Sequence, residues 1–258
     1  MNTPIADFLE DYEKKGMLRL HMPGHNGETP HDITEIAGAD SLYETDSSRG
    51  IIAHSEAIAA KLFGAERTCY SAGGSTLAIQ AALAILRAQG CKTIAAGRCS
   101  HRSLVSSAAL LGLEVKWLYP KEYPSADVDC SKEALSGSDA LFLTNIDYYG
   151  GTCRASDPGI PVVVDNAHGS YLKFVSKAGF GREYLHPMEF GFPVISAESA
   201  HKTLPALTGA AYLHFSNGAD YSRAKEMTAL FGSTSPSYLV MESLDKVNGR
   251  LLLSLIHI

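Results

Sequence analysis

The sequence predicts an α/β fold in which helices cover both faces of a mostly parallel sheet. Short apolar runs, such as the one over residues 161–165, alternate along the chain with longer helical stretches. Strands that are buried on both faces read as continuous apolar runs, and helices between successive strands favour parallel pairing. The 258 residues, of which 45% are hydrophobic and 19% charged, are enough to build a core of this kind.

The first element is predicted to be a helix. Thr3 stands at an N-cap and Pro4 at the first helical position, and the apolar residues that follow fall on one face. The helix is expected to stop at Gly16. Residues 21–49 are rich in Gly, Pro, Asp and Ser, which predicts an ordered loop with little regular structure.

Helices and strands then alternate along the chain. Ser55 is predicted to cap a helix that ends at Phe63, before Gly64. Residues 77–90 are strongly helical, and residues 103–111 are predicted to form another helix. The short apolar strands are predicted at residues 67–71, 92–97, 114–119, 140–146, 161–165, 194–198 and 210–215.

One connection breaks this pattern. Only residues 152–158 separate Gly151 from Gly159, whereas a parallel crossover normally takes about a dozen residues or more. Either the two flanking strands are not parallel neighbours, or a helix is missing from the connection.

The composition excludes several classes of protein. The net charge is −6 and the Lys and Arg residues are scattered, which argues against nucleic-acid binding. No apolar stretch approaches the length of a membrane span, and the acidic, amphipathic start does not read as a secretory signal. The five cysteines are an odd number without CxxC spacing, so we expect a reduced, cytoplasmic protein.

Polar groups follow several of the predicted strands, and the first of them is a glycine turn. Gly73, Gly74, Ser75 and Thr76 lie between a strand and a helix. Glycines let a ligand approach the backbone, and free N–H groups at a helix start suit a phosphate. The pattern matches neither the P-loop nor the dinucleotide fingerprint, so a plain capped turn is an equal alternative.

Three further side chains follow strands. Asp165 could bind a metal, a ribose hydroxyl or a protonated ring nitrogen, or it could only cap the next turn. Lys202 is a candidate Schiff-base nucleophile, with a solvated surface lysine as the alternative. His101 could stack on an aromatic ligand or cap the helix that follows it.

In combination these four groups describe one kind of site. A phosphate turn, a stacking histidine, a carboxylate and a lysine, each after a successive strand, together fit pyridoxal phosphate. The lysine would hold the cofactor aldehyde as an imine, and the carboxylate would keep the pyridine nitrogen protonated so that the ring can take up electrons. The turn and the helix dipole would hold the phosphate.

Longer segments of the chain match one known family. They are HMPGHN (21–26), DITE (32–35), the run 50–65, GGST (73–76), CSHRS (99–103), DYYG (147–150), VDNAHG (164–169), SAHKTLPALTG (199–209) and FGSTSPSY (231–238). On these segments the chain resembles the Orn/Lys/Arg decarboxylases, in particular their shorter bacterial form. The likeness extends from about His21 to about Asp245. It implies the three-layer large domain of the aminotransferase-like (fold type I) pyridoxal phosphate enzymes, with a mostly parallel sheet.

The resemblance also implies roles for individual residues. Lys202 would hold the aldehyde of pyridoxal 5'-phosphate, Asp165 would pair with its pyridine nitrogen and His101 would stack on its ring, so these three are the implied catalytic residues. His168 would lie beside the cofactor. The implied cofactor-binding residues are Gly74, Ser75, Thr76, His101, Asp165, His168, Ser199, His201, Lys202, Ser233 and Thr234.

Members of the family work as dimers with sites at the interface, so the resemblance implies a homodimer or a higher homo-oligomer. The loop that holds Ser233, Thr234 and Ser235 would reach the phosphate bound by the partner subunit. The HMPGHN loop would also line the site. We predict no metal site from its two histidines, because the proline and glycine between them forbid a helix.

The implied reaction is decarboxylation of a basic amino acid (lysine, ornithine or arginine) to the corresponding amine. Two alternatives stay open: another pyridoxal phosphate reaction such as aminotransfer, and an inactive truncated fragment, because the family continues into a smaller C-terminal domain. We divide the chain into a helix and loop segment (1–50), the cofactor-binding large domain (51–252) and a non-native tail (253–258). The tail is expected to pack poorly.

Overall fold

The fold centres on a mixed sheet. The computed structural model describes residues 2–34, 40–45, 50–120, 125–153, 156–175 and 184–256, without the side chains of 255 and 256. Seven strands in these ranges form one sheet in the order β1–β7–β6–β5–β4–β2–β3. The strands are β1 (Arg67–Ser71), β2 (Thr93–Gly97), β3 (Glu114–Leu118), β4 (Ala140–Thr144), β5 (Val162–Asp165), β6 (Val194–Glu198) and β7 (Ala211–Phe215).

Strand β7 runs antiparallel to both of its neighbours, β1 and β6, whereas the pairs β2–β3, β2–β4, β4–β5 and β5–β6 are parallel. The mostly parallel sheet predicted from the apolar runs is therefore confirmed. Every predicted strand is present, with its ends within two residues of the prediction.

Helices cover both faces of the sheet. They are α1 (Pro4–Lys14), α2 (Ile51–Phe63), α3 (Gly74–Ala88), α4 (Arg102–Leu111), α5 (Lys132–Leu135), α6 (Leu172–Val175), α7 (Ala200–Thr203), α8 (Ala224–Phe231) and α9 (Tyr238–Ile256), with a 3-10 turn at Pro187–Glu189. Among these described helices, none combines the length and apolar character that crossing a membrane requires.

Alternate residues of each strand enter different cores. Phe142 and Val163 point to the face covered by α3, α4 and α8. Leu143 and Val164 point to the opposite face, where they meet α5 and the turn near Phe192. A third cluster joins α1, α2 and α9 to the β1–β7 end of the sheet. The result is the three-layer arrangement that the sequence predicts.

The predicted capping of the first helix is only half right. Thr3 does precede α1, but its hydroxyl donates to the Asp7 carboxyl and makes no capping bond. The N–H groups of Ile5 and Ala6 instead donate to Asp245 Oδ2, each at a distance of 3.0 Å. The cap comes from α9, because that helix packs beside α1.

The prediction that Ser55 caps the second helix is wrong. Helix α2 begins at Ile51, and the carboxyl of Asp40 accepts the N–H groups of Ile52 and Ala53. Ser55 lies inside the helix, fully buried, where its hydroxyl contacts Tyr70 and Asp245. Ser55 is a residue type that often caps helices, but in the folded chain the cap is the carboxylate of Asp40, which lies outside the helix.

The short connection joins strands that are parallel neighbours, so the first of the two alternatives is wrong. Its described residues, 145–153 and 156–161, contain no helix, and residues 154–155 lie outside the described ranges. Asp147 closes a tight turn, since its Oδ1 accepts the N–H groups of Tyr149 and Gly151.

Two other predictions fall partly outside the described residues. In the predicted loop 21–49, the described residues form turns and no helix or strand, whereas residues 35–39 and 46–49 lie outside. At the C-terminus, α9 continues to Ile256 with Leu253 43% exposed, and residues 257–258 lie outside the described ranges. Poor packing of the whole tail stays a prediction.

Candidate active site

The polar groups predicted to act together meet at one edge of the sheet. A cavity of about 240 Å³ lies at the C-terminal ends of β4, β5 and β6, beside the start of α3. Carboxyl ends of parallel strands are where ligands bind in open α/β sheets. The cavity is lined by Gly74, Ser75, Thr76, Cys99, His101, Thr144, Ile146, Asp147, Tyr148, Asp165, Ala167, His168, Ser199, His201 and Lys202.

The glycine turn opens α3 against the cavity. Gly74 adopts a left-handed φ of 72°, and its N–H donates to Gly209 O over 2.7 Å. The N-cap position is Gly73, and no side chain among the described residues caps the helix. The N–H groups that follow Gly74 in the first turn are therefore left for a ligand, with the hydroxyls of Ser75 and Thr76 on the same wall. This geometry favours the phosphate interpretation over a plain capped turn.

Asp165 ends β5, and its carboxyl is 4% exposed. Its Oδ1 accepts the N–H of Ala167 over 3.1 Å. Burial raises the pKa of this carboxyl, and the Ala167 N–H together with His101 and Lys202 opposes that effect. A buried carboxyl on the cavity wall is suited to bind a cationic group such as a protonated ring nitrogen.

Lys202 and His168 form a pair in the cavity. Lys202 Nζ lies 3.1 Å from His168 Nε2. Burial lowers the pKa of His168, and the charges of Lys202 and His101 lower it further. The ring of Tyr148 packs edge-on against His168, with 5.3 Å between centroids. Lys202 is thus an exposed amine held beside an imidazole that favours its neutral form.

His101 satisfies both interpretations that the sequence left open. It is the N-cap of α4, and its Nδ1 accepts the N–H of Ser103 over 3.2 Å. It also lines the cavity, near enough to Asp165 to affect the pKa of that carboxyl. The capping bond fixes the ring against the wall, so the capping role supports a role in ligand binding.

Ser199 and His201 complete the wall next to the glycine turn. Ser199 is fully buried at the end of β6, and its hydroxyl lies 3.3 Å from His201 Nδ1. The same ring nitrogen lies 3.3 Å from Ala210 O. Nine of the predicted cofactor-binding residues therefore line a single cavity: Gly74, Ser75, Thr76, His101, Asp165, His168, Ser199, His201 and Lys202.

Two predicted residues, Ser233 and Thr234, do not join them. They follow α8 on the surface, exposed together with Ser235, whose N–H donates to Ser233 Oγ. They do not line the cavity of their own chain. Contact with a partner subunit's site stays a prediction.

Sequence reasoning missed the contribution of β4. Thr144 Oγ1 and Asp147 Oδ2 are buried without a hydrogen-bond partner among the described residues, and both side chains line the cavity. Ile146, between them, has a left-handed φ of 56°, which is strained for a branched side chain. The signal was available, because Thr144 ends an apolar strand as Asp165 does and is its partner in register.

Comparisons with known proteins agree with this geometry. Residues 142–252 match the model of the Orn/Lys/Arg decarboxylase major domain. The chain is similar to the uncharacterized protein YaaO of Bacillus subtilis (30% identical; 95% of this chain and 56% of that protein). It is also similar to an arginine decarboxylase of Bacillus anthracis (26% identical; 96% and 55%). The chain thus spans about half the length of these curated relatives.

Solved structures extend the likeness to the fold. The Francisella novicida lysine decarboxylase LdcF superimposes with a TM-score of 0.74 at 17% identity, over 99% of this chain and 42% of that one. The L-threonine transaldolase of Pseudomonas fluorescens gives 0.60 at 15%, over 96% and 63%. The sheet is that of fold type I pyridoxal phosphate enzymes. The family-model match over residues 142–252 and the similar arginine decarboxylases support the Orn/Lys/Arg decarboxylase family for this chain.

Proposed function

We propose that this chain carries the cofactor site of a pyridoxal phosphate-dependent decarboxylase that acts on a basic amino acid: lysine, ornithine or arginine. The observation that carries the proposal is the single cavity that brings together Lys202, the buried Asp165 carboxyl and the uncapped start of α3. The family match and the arginine and lysine decarboxylases among the similar proteins support the substrate class.

The residues of the cavity fit pyridoxal phosphate. The first turn of α3 offers N–H groups and two hydroxyls for the phosphate. Asp165 would hold the pyridine nitrogen, and His101 is fixed by its capping bond where it can stack on the ring. Thr144 Oγ1, buried without a described partner, is free to donate to a ring substituent. Lys202 supplies the amine that would hold the aldehyde.

When bound, the cofactor supplies an electron sink for the pair released as the α-carboxylate departs as carbon dioxide. The chain's own groups prepare that step. Asp165 would keep a proton on the ring nitrogen, since a buried carboxylate is stabilised by a cation beside it. His168 Nε2, 3.1 Å from Lys202 Nζ, is an imidazole that favours its neutral form, so it can accept a hydrogen bond from that amine and hold it in place within the cavity.

We also propose that the chain assembles as a homodimer. An apolar strip near the N-terminus supports it: Leu18 and Leu20 are 84% and 85% exposed, and Met17 and Met22 beside them are more than half exposed. Exposed apolar patches of this kind mark interaction surfaces. A second copy would also bring the exposed Ser233 and Thr234 to a site that they cannot reach within one chain.

The test of the proposed function is a visible absorption spectrum with pyridoxal phosphate, recorded for the wild type, Lys202→Ala and Lys14→Ala. Lys14 lies exposed on α1 and controls for nonspecific reaction with surface amines. We expect a protonated-imine band in the wild type and in Lys14→Ala that is absent from Lys202→Ala. The same band in all three proteins would contradict the assignment of Lys202.

Product analysis then separates the reactions. Incubation with lysine, ornithine and arginine should release carbon dioxide and the matching amine from one of them. A keto acid product would instead identify aminotransfer. An imine band without turnover would mean that the chain binds the cofactor but lacks parts that the longer relatives have.

A further inference from the structure

A row of buried polar side chains crosses the strand ends beneath the cavity. Asn145 follows β4, Asn166 follows β5 and Glu198 ends β6, and each is at most 1% exposed. Asn145 Nδ2 donates to Asn166 Oδ1 over 3.0 Å, and Asn166 Nδ2 donates to Glu198 Oε1 over 3.1 Å. We call these three residues the strand-end row. None of them lines the cavity.

Glu198 anchors the strand-end row. Its Oε1 also accepts the Ser196 hydroxyl over 3.1 Å and lies 2.7 Å from His186 Nε2. His186 Nδ1 accepts the Met188 N–H, which leaves Nε2 on the side of the ring that faces the carboxylate. Burial opposes ionisation of Glu198, but His186 and His214 outweigh it and hold the pKa at about 2. A charged acceptor therefore ends the row.

The strand-end row is tied directly to the groups of the cavity. Asn166 adjoins Asp165, and its N–H donates to Ala197 O. Glu198 adjoins the turn that carries Lys202. The chain after Asp165 wraps closely around the Asn166 side chain, because a Cβ on Gly169 would lie 2.0 Å from Asn166 Oδ1. Movement of the strand-end row would thus displace Asp165, Lys202 and His168 relative to one another.

We propose that Glu198 and Asn166 are positioning residues, which hold Asp165, His168 and Lys202 in one constellation through the buried strand-end row. The role rests on the proposed function, since that function gives the constellation its use. The contact that reports on it, Lys202 Nζ to His168 Nε2, exists without any bound group.

The first readout is the pKa of His168, measured by NMR in the cofactor-free chain. Glu198→Leu keeps most of the side-chain volume and removes the acceptor. We expect the pKa of His168 to shift upward toward 6.5 in this variant, because Lys202 moves away from the ring. Glu198→Gln keeps an acceptor oxygen for Asn166, so the pKa of His168 should stay as low as in the wild type. A role limited to fold stability would not produce this difference.

Asn248→Leu is the matched control. Asn248 is also fully buried, and its bonds to Tyr212 and Tyr70 lie away from the cavity. It should lower stability without altering the pKa of His168. If Glu198→Leu does not fold, Asn166→Ala removes the same link while Glu198 keeps its hydrogen bond from Ser196 and its contact with His186. Asn166→Ala should raise the pKa of His168 in the same way.

The second readout is the affinity for pyridoxal phosphate, titrated by absorbance. Glu198→Leu and Asn166→Ala should raise the apparent Kd about tenfold, the scale of an unsatisfied buried polar group, whereas Glu198→Gln and Asn248→Leu should stay near the wild type. A wild type that binds no pyridoxal phosphate contradicts the proposed function alone. An unchanged pKa of His168 in the folded row variants overturns the positioning role, whatever the cofactor does.

Discussion

Two buried carboxyl groups, Glu198 beneath the cavity and Asp245 between the terminal helices, differ in their response to burial. Glu198 faces two histidines, and its pKa falls to about 2 despite burial. Asp245 is surrounded by hydroxyl and backbone N–H donors, and burial raises its pKa to about 6 although those donors oppose it. Hydrogen-bond donors without a nearby cation do not offset the loss of water, whereas two imidazoles do.

The two buried carboxyl groups also have different structural roles. The Glu198 group connects strand ends next to the cavity, so it fixes the distances between functional side chains. The Asp245 group connects α1, α2 and α9 at the β1–β7 end of the sheet, so it fixes helices. Loss of Asp245 should therefore change stability and spare the site, whereas loss of the row should change the site as well.

The largest effect on stability is expected for Asp245→Leu. The variant leaves the N–H groups of Ile5 and Ala6 without their acceptor and removes one of the two partners of the Ser55 hydroxyl. We expect the free energy of unfolding to fall by about 2–4 kcal/mol, as for the joint loss of a helix cap and a buried hydrogen bond. Urea denaturation measures it, with Glu10→Ala on the exposed side of α1 as the control. A loss as small as that of the control would rule out this capping role.

A pH effect of intermediate size follows from the raised pKa of Asp245. Between about pH 4 and pH 6 the unfolded chain has already lost the proton that folded Asp245 keeps, so this group lowers stability as pH rises. His214, whose pKa burial lowers from 6.5 to about 4, raises stability with pH over nearly the same interval. The two slopes oppose each other in the wild type.

Asp245→Asn removes only the first of these slopes. Stability of the variant should rise between pH 4 and pH 6 more steeply than that of the wild type, by at most about 1.4 kcal/mol per pH unit. Urea unfolding at three pH values measures both slopes. Parallel curves for the two proteins would show that Asp245 is ionised in the folded chain throughout this interval.

The smallest effect concerns the cavity itself. Lys202→Ala removes one of the charges that lower the pKa of His168, but burial, the larger cause, remains. The pKa of His168 should therefore rise only part of the way toward 6.5, as measured by NMR. A complete return to 6.5 would show that the ring is solvated, and no change would show that the Lys202 contact does not form in solution.

Which side chains meet at the cavity could be predicted from the sequence where strand ends carry the information. Asp165 and Lys202 were identifiable because each follows an apolar run, and parallel strands bring such positions to one edge. The caps at Thr3 and Ser55 were misjudged because the acceptors, Asp245 and Asp40, come from elsewhere in the chain. Nothing local marks Glu198 as the partner of His186, since only the folded sheet brings the two together.

The strand order has a consequence for synthesis on the ribosome. Among the described strands, the first to emerge, β1, pairs only with the last, β7, and α1 receives its cap from α9. The N-terminal elements therefore stay without these partners while more than half of the polypeptide is translated. Strands β2, β3 and β4, by contrast, can pair with one another soon after each is synthesised. The nascent chain exposes the β1 edge for most of its translation, and a chaperone that shields residues 67–71 would act during that interval.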